Sequence, residues 1–163
     1  MDIATAGLGF SPRPPEDRFM KATIRPLRDA EIEAAVAVWT ACGLIEPWND
    51  PRADIARARA SGSAEILVAV DDTGIVATIM AGDDGHRGWL YYLAVAPDLQ
   101  RTGLGRQMVG AAEDWLRVRG VAKVMLMIRP TNLMVRGFYE AIGYGHQDRT
   151  IMARWLDGRP MTP

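Results

Sequence analysis

The chain is poor in the residues that anchor small secreted or metal-built folds. One cysteine, Cys42, excludes an internal disulfide framework. Two histidines, His86 and His146, stand at no metal-ligand spacing from that cysteine or from each other, so no metal site is expected. No apolar run approaches the length of a membrane span. Near the N-terminus, Asp2, Glu16 and Asp17 surround no apolar segment, so a secretory leader is not expected and the cytoplasm is the default compartment. Charge of one sign is also lacking: 19 basic and 20 acidic side chains leave a formal net charge of -1, which points to neither nucleic acid nor an anionic membrane as partner. There is no internal repeat, no low-complexity tract and no Gly-x-Ser-x-Gly elbow for serine-type acyl transfer.

What is present is material for one domain: 163 residues, 48% of them hydrophobic. Residues 1–19, rich in glycine and proline, read as a poorly ordered tail, with Met20 a candidate start; residues 20–157 form the expected domain and 158–163 a second tail. A short strand is expected around Ile24, then a helix from Asp29 with Ile32, Ala35, Val36 and Trp39 on one face. Asp50 before Pro51 is the cap and first turn of a second helix, to about Ala60. Residues 65–71 and 75–82 alternate as a hairpin about Asp72-Thr73-Gly74, and a polar tip at 83–88 leads into a strand over 89–95.

That strand is the centre of the chain. It ends at Pro97 and passes through Gln100-Arg101-Thr102-Gly103-Leu104-Gly105-Arg106 into an amphipathic helix expected over 103–119, bearing Leu104, Met108, Ala111, Ala112, Trp115 and Leu116. Glycines at the turn let backbone approach a ligand, and the first amides of the helix point outward with the positive end of its dipole. Such a turn suits a pyrophosphate, with Arg101 and Arg106 as flanking donors. A P-loop would need lysine and a hydroxyl where Arg106 and Gln107 stand, and a Rossmann fingerprint a third glycine where Met108 stands. The next strand, over 121–128, implies parallel pairing with the strand before the helix. Asn132 then opens a helix with Tyr139 on its apolar stripe, and 144–156 offers two closing strands. Asn132 is an N-cap by position and Tyr139 a core residue by position; both remain open to a second role.

The turn at 100–105 matches the Gln/Arg-x-x-Gly-x-Gly/Ala signature of the GNAT superfamily of N-acetyltransferases, and the strand Tyr92-Leu93-Ala94-Val95-Ala96-Pro97 resembles that family's fourth. Asn132 to Tyr144, ending Phe138-Tyr139-Glu140-Ala141-Ile142-Gly143-Tyr144, resembles its second motif. Pro47-Trp48-Asn49-Asp50-Pro51 together with the 83–88 tip is similar to a small bacterial subgroup, the YpeA-like proteins. The resemblance implies an α/β fold: a mixed, mainly antiparallel sheet of six to seven strands, with about four helices on both faces. It implies acetyl-CoA held by Leu93, Ala94, Val95, Gln100, Arg101, Thr102, Gly103, Leu104, Gly105, Arg106 and Asn132. It further implies the Leu93 amide as donor to the thioester oxygen and Tyr139 beside the sulfur, the phenol acting as hydrogen-bond donor or as an acid of lowered pKa.

The general base is where the pattern departs from the family. The positions at which some members carry a glutamate align here with Trp89 and Met127. An amine of pKa near 10.4 is only about one part in a few thousand neutral at pH 7. The options are a water relay through Tyr91, a proton acceptor among Asp83, Asp84 and His86, or an acceptor amine of low pKa. Glu46, Trp48 and Asn49, together with Asp83, Asp84 and His86, are the acceptor-site candidates. The expected activity is acetyl transfer to a primary amine, a small molecule rather than a protein lysine or N-terminus, by direct attack in a ternary complex. The alternative is a non-catalytic acyl-CoA sensor; a homodimer is left open.

Overall fold

The computed structural model describes residues 22–161; the expected N-terminal tail and Met20 lie outside the described residues. The chain divides after Met127 into two compact units. The first begins with β1 (Thr23–Pro26), followed by a 3-10 turn (Asp29–Glu31), α1 (Ile32–Ala41) and α2 (Pro51–Ser61). It continues through β2 (Ala64–Asp71), β3 (Gly74–Asp83), β4 (Gly88–Val95), a second 3-10 turn (Pro97–Leu99), α3 (Leu104–Val118) and β5 (Val124–Met125). The second unit contains α4 (Leu133–Ala141).

The five strands lie in sequence order, β1 to β4 antiparallel and β5 parallel to β4. Successive strand residues face opposite ways, and both faces of this sheet are covered. Ile66, Val68, Met80 and Ala94 join Val36, Trp39 and Ile55 in a core under α1 and α2. Leu67, Ile79 and Ala81, of opposite parity, are buried on the other side together with Leu90, the partner of Ala81, where Leu104, Met108, Ala112 and Leu116 of α3 pack over β2, β3 and β4. Gly88 is the point of closest approach: a Cβ there would come within 2.7 Å of the Leu116 side chain.

Local chemistry sets the boundaries. Asp50 caps α2, its carboxylate accepting from the amides of Arg52 at 2.9 Å and Ala53 at 3.3 Å, with Pro51 in the first turn. The first helix starts later than Asp29, because residues 29–31 wind as a 3-10 turn secured by Glu31, whose carboxylate accepts from the Arg28 amide and pairs with Arg25.

Three expectations are corrected. Six to seven strands are expected, and five form among the described residues. The apolar run at 121–128 is a strand only over Val124–Met125, because its ladder reaches only Gly88 and Trp89 of β4. Residues 144–156 form no strand, and Ile151, Met152 and Leu156 are exposed. Alternation alone does not make a strand; a paired neighbour does, and this segment has no ladder.

Candidate functional site

The short reach of β5 is what opens a site. β4 continues for six residues past Trp89, and along that stretch no strand among the described residues flanks it on the β5 side. Ala96 donates to the Val76 carbonyl at 2.8 Å, and Ala94 lies opposite Thr78. Ala94 therefore turns its amide toward β3 and Val95 turns its own to the open edge; the Tyr92 carbonyl points to Thr78 of β3, and across the trans peptide the Leu93 amide points the other way, to the open edge. The expected Leu93 amide is thus exposed to a ligand on that edge. The Val95 carbonyl already accepts from the Gln100 side chain and from the half-buried Cys42 thiol, both at 3.2 Å. Burial raises the pKa of that thiol.

A bulge interrupts β4 just before Leu93. Thr78 pairs with Ala94 but Met80 pairs with Tyr91, so Tyr92 and Leu93 together oppose the single residue Ile79. Tyr92 is left-handed, with φ of 51°. Arg101, at φ 64°, is the other non-glycine residue of this kind among the described residues. Left-handed backbone costs an L-residue about 1–2 kcal/mol; such strain persists where surrounding contacts impose it, and it clusters at functional sites. Here both instances bracket the route from the open edge to the helix.

After Val95 the chain turns through Pro97–Leu99, with Thr102 Oγ1 donating to the Leu99 carbonyl at 2.7 Å. Gly103 stands at φ 96° before Leu104, a conformation glycine adopts without penalty, and the place its Cβ would take is open space. No side chain caps α3, and helix geometry leaves its first amides without intrahelical acceptors. Leu104 buries its side chain completely and offers only its amide, while Arg101 and Arg106 are exposed at the turn. The arrangement sets outward backbone amides beside two exposed guanidinium groups, which is the chemistry an anion would require.

The acceptor candidates fall in two places. Glu46, Trp48 and Asn49 lie in the loop before α2; Trp48 is 47% exposed, and the Asn49 amide donates to the Glu46 carbonyl at 3.0 Å. Burial and then Asp54 raise the pKa of the Tyr92 phenol while the Asn49 side chain lowers it, so this loop lies beside the bulge. Asp83, Asp84 and His86 form the β3–β4 tip, at the Gly88 end of β4, about 16 Å along the strand from Leu93 at ~3.3 Å per residue. Asp83 accepts from the Gly85 amide at 2.8 Å. Asp84 accepts from the amides of Arg87 and His86 and from Trp89 Nε1. Those bonds hold its carboxyl down at about 2, so it is a poor proton acceptor near neutral pH. Tyr91, 40% exposed, has its pKa raised by burial and then by the Asp84 charge.

In the second unit, Asn132 Oδ1 accepts from the Val135 amide at 3.2 Å, so Asn132 is the N-cap of α4. Tyr139 is 6% exposed, with the rings of Phe138 and Tyr144 edge-on at 5.0 and 5.2 Å. Burial pushes its phenol up to about 12. Full proton donation to a thiolate of reference pKa near 8.5 would then be uphill by about 5 kcal/mol, which favours the hydrogen-bond donor among the two roles expected of it.

Sequence reasoning missed Tyr92, and the alternation of β4 carries no sign of it, because a bulge is a register difference between two strands. Among the described residues no group of three or more His, Cys, Asp and Glu is arranged to hold a metal, and no helix is long and apolar enough to cross a membrane.

An open strand edge running through a glycine turn into an uncapped helix N-terminus suits an extended ligand that carries a phosphate group. The sequence pattern of the acetyltransferase (GNAT) family matches residues 27–144, and the chain belongs to that family. Solved structures share the fold at low identity. The aminoglycoside N-acetyltransferase AAC(6')-Iy, solved with the bisubstrate analog CoA-S-monomethyl-acetylneamine, superposes with a TM-score of 0.72 at 18% identity, over 82% of this chain and 97% of that one. A Trypanosoma brucei acetyltransferase gives 0.64 at 21%, over 82% and 99%. A protein of Clostridium acetobutylicum, described as a predicted acetyltransferase and solved with acetyl-CoA, gives 0.69 at 16%, over 85% and 99%.

Proposed function

We propose that the protein is an acetyl-CoA-dependent N-acetyltransferase that acetylates a small primary amine by direct attack in a ternary complex. The observation that carries this is the open edge of β4, which turns the Leu93 amide outward and leads through Arg101 and Gly103 into the uncapped start of α3. Family membership supports acetyl transfer, and the CoA and acetyl-CoA complexes of the similar structures support the donor. The aminoglycoside acetyltransferases among them support a small amine over a protein acceptor. The motifs at 47–51 and 83–88 keep the YpeA-like subgroup as part of the proposal.

In this reading the first amides of α3, with Arg101 and Arg106, bind the pyrophosphate, and Asn132 adds a contact to the pantetheine arm. The Leu93 amide donates to the thioester oxygen as it gains negative charge. The neutral amine attacks the carbonyl carbon, the C–S bond breaks, and the thiolate leaves with a hydrogen bond from Tyr139. The substrate ammonium proton goes to water ordered by Tyr91 before attack, or is absent because the acceptor amine has a low pKa; the proton the nitrogen gives up on forming the amide goes to solvent, and the thiolate is protonated from solvent to CoA thiol. The Asp84 carboxyl, held at about 2, does not serve as base. With Trp89 and Met127 at the two positions where relatives hold a glutamate, a non-catalytic acyl-CoA sensor is the second reading.

The test is a thermal-unfolding titration with acetyl-CoA beside ATP and NAD, followed by an amine screen that detects CoA release. At about a hundred times the dissociation constant a native-state ligand adds ~2.7 kcal/mol, a midpoint shift of ~5–10 °C for a chain of this length. A shift with acetyl-CoA alone, then CoA release, supports the enzyme. A shift without turnover by any amine supports the sensor. No shift at millimolar acetyl-CoA overturns both.

A further inference from the structure

Thr78 is the one fully buried polar side chain among the described residues. It stands in β3 among Val76, Ala77, Ile79 and Met80, where valine would pack in the same volume without burying a hydroxyl. Its Oγ1 accepts from Trp39 Nε1 at 2.7 Å and donates to the Tyr92 carbonyl at 2.9 Å. The bulge is the reason that second bond is needed. Where Tyr92 and Leu93 oppose one residue of β3, the regular ladder is disrupted, and a buried carbonyl without a partner is costly. Thr78 supplies the partner from the side.

The rest of Tyr92 is restrained equally. Its ring lies flat on the buried Trp39 indole, with centroids 4.0 Å apart and planes at 12°. Its hydroxyl donates to Asp54 Oδ2 of α2 at 2.6 Å. Carbonyl, ring and hydroxyl are thus held by β3, α1 and α2 in turn, around a backbone in the left-handed region. Strain of that kind persists only where the surroundings over-determine it, and the residue it precedes is Leu93.

We propose that Tyr92 is a positioning residue: Thr78, Trp39 and Asp54 clamp it left-handed, and the clamp holds the bulge that turns the Leu93 amide to the open edge. The inference rests on the acetyl-CoA reading above. It adds that donor geometry is set by side chains that do not touch the donor. It also ties α2, which follows the loop carrying Asn49, to the strand carrying Leu93.

The experiment needs no identified amine. Acetyl-CoA labelled with 13C at the thioester carbonyl is bound to the full chain, its affinity measured by calorimetry and its carbonyl stretch by isotope-edited infrared spectroscopy. A donor hydrogen bond moves the stretch to lower wavenumber. In the native protein the band lies below that of free acetyl-CoA. In Thr78→Val it returns toward the free position while acetyl-CoA still binds, because the pyrophosphate contacts are untouched; Thr78→Ser, which keeps the hydroxyl, restores the shift. Should Thr78→Val not fold, Tyr92→Phe, which removes only the hydroxyl and its bond to Asp54, takes its place with the same expected direction. A folded variant that binds acetyl-CoA with the native band overturns the positioning role. Failure of the native protein to bind acetyl-CoA overturns the functional reading instead, so the two failures are distinct.

Discussion

At the scale of single residues, the chemistry rests on groups whose neighbours decide what they do. Tyr139 is a phenol kept protonated by burial, with its pKa near 12. Tyr139→Phe is expected to lower kcat by about 10- to 100-fold, the worth of a hydrogen bond to a charged group at ~1.5–3 kcal/mol, and to leave acetyl-CoA affinity near its native value. The sign of the pKa shift adds a second check. A raised phenol stays a donor throughout the neutral and mildly alkaline range, so the kcat profile of the native enzyme shows no loss from Tyr139 below about pH 11. Gly103 is decided by backbone. At φ 96° a β-branched side chain is strained, and its bulk would occupy the open space an anion needs. Gly103→Val is therefore expected to weaken acetyl-CoA binding tenfold or more, at least ~1.4 kcal/mol by calorimetry.

At the scale of elements, capping and register account for where helices and strands stop. Asp50 and Asn132 both read as caps and both are caps, each carboxylate or amide oxygen accepting from amides of the first turn. Asp50→Ala is expected to cost about 1 kcal/mol in urea denaturation, since the α2 amides lose their acceptor. The strands were legible as alternation in β2, β3 and β4, because each buries one or both faces against helices that the sequence also marks. The length of β5 was not. Its apolar run over 121–128 reports burial, but the ladder is set by how far β4 and β5 stay together, and they part after two residues. That parting leaves the edge of β4 open past Trp89, so the least legible element boundary is the one that shapes the proposed donor edge.

At the scale of the whole molecule, a few carboxylates couple stability to pH. Glu31 is drawn from 4.5 to about 2, first by its bonds to Arg25 and against some desolvation, and Asp84 from 3.8 to about 2 by backbone amides and Trp89. A folded pKa below the unfolded one means the stabilisation is fully present above the unfolded value and disappears as pH falls through the folded value. The midpoint of thermal unfolding is therefore expected to decline from about pH 4.5 toward pH 2, and Glu31→Gln to be less stable at pH 7 with a shallower acid decline. Sequence alone determined the family, the glycine turn, the helix that follows it and the caps, because each is written in residues close along the chain and acts through local backbone geometry. Only the tertiary structure decided that the sheet has five strands, that Ala94 faces inward while Leu93 faces the open edge, and that Thr78, Trp39 and Asp54 converge on Tyr92. Those are relations between strands and helices distant in sequence, and no periodicity within one segment records the register of another.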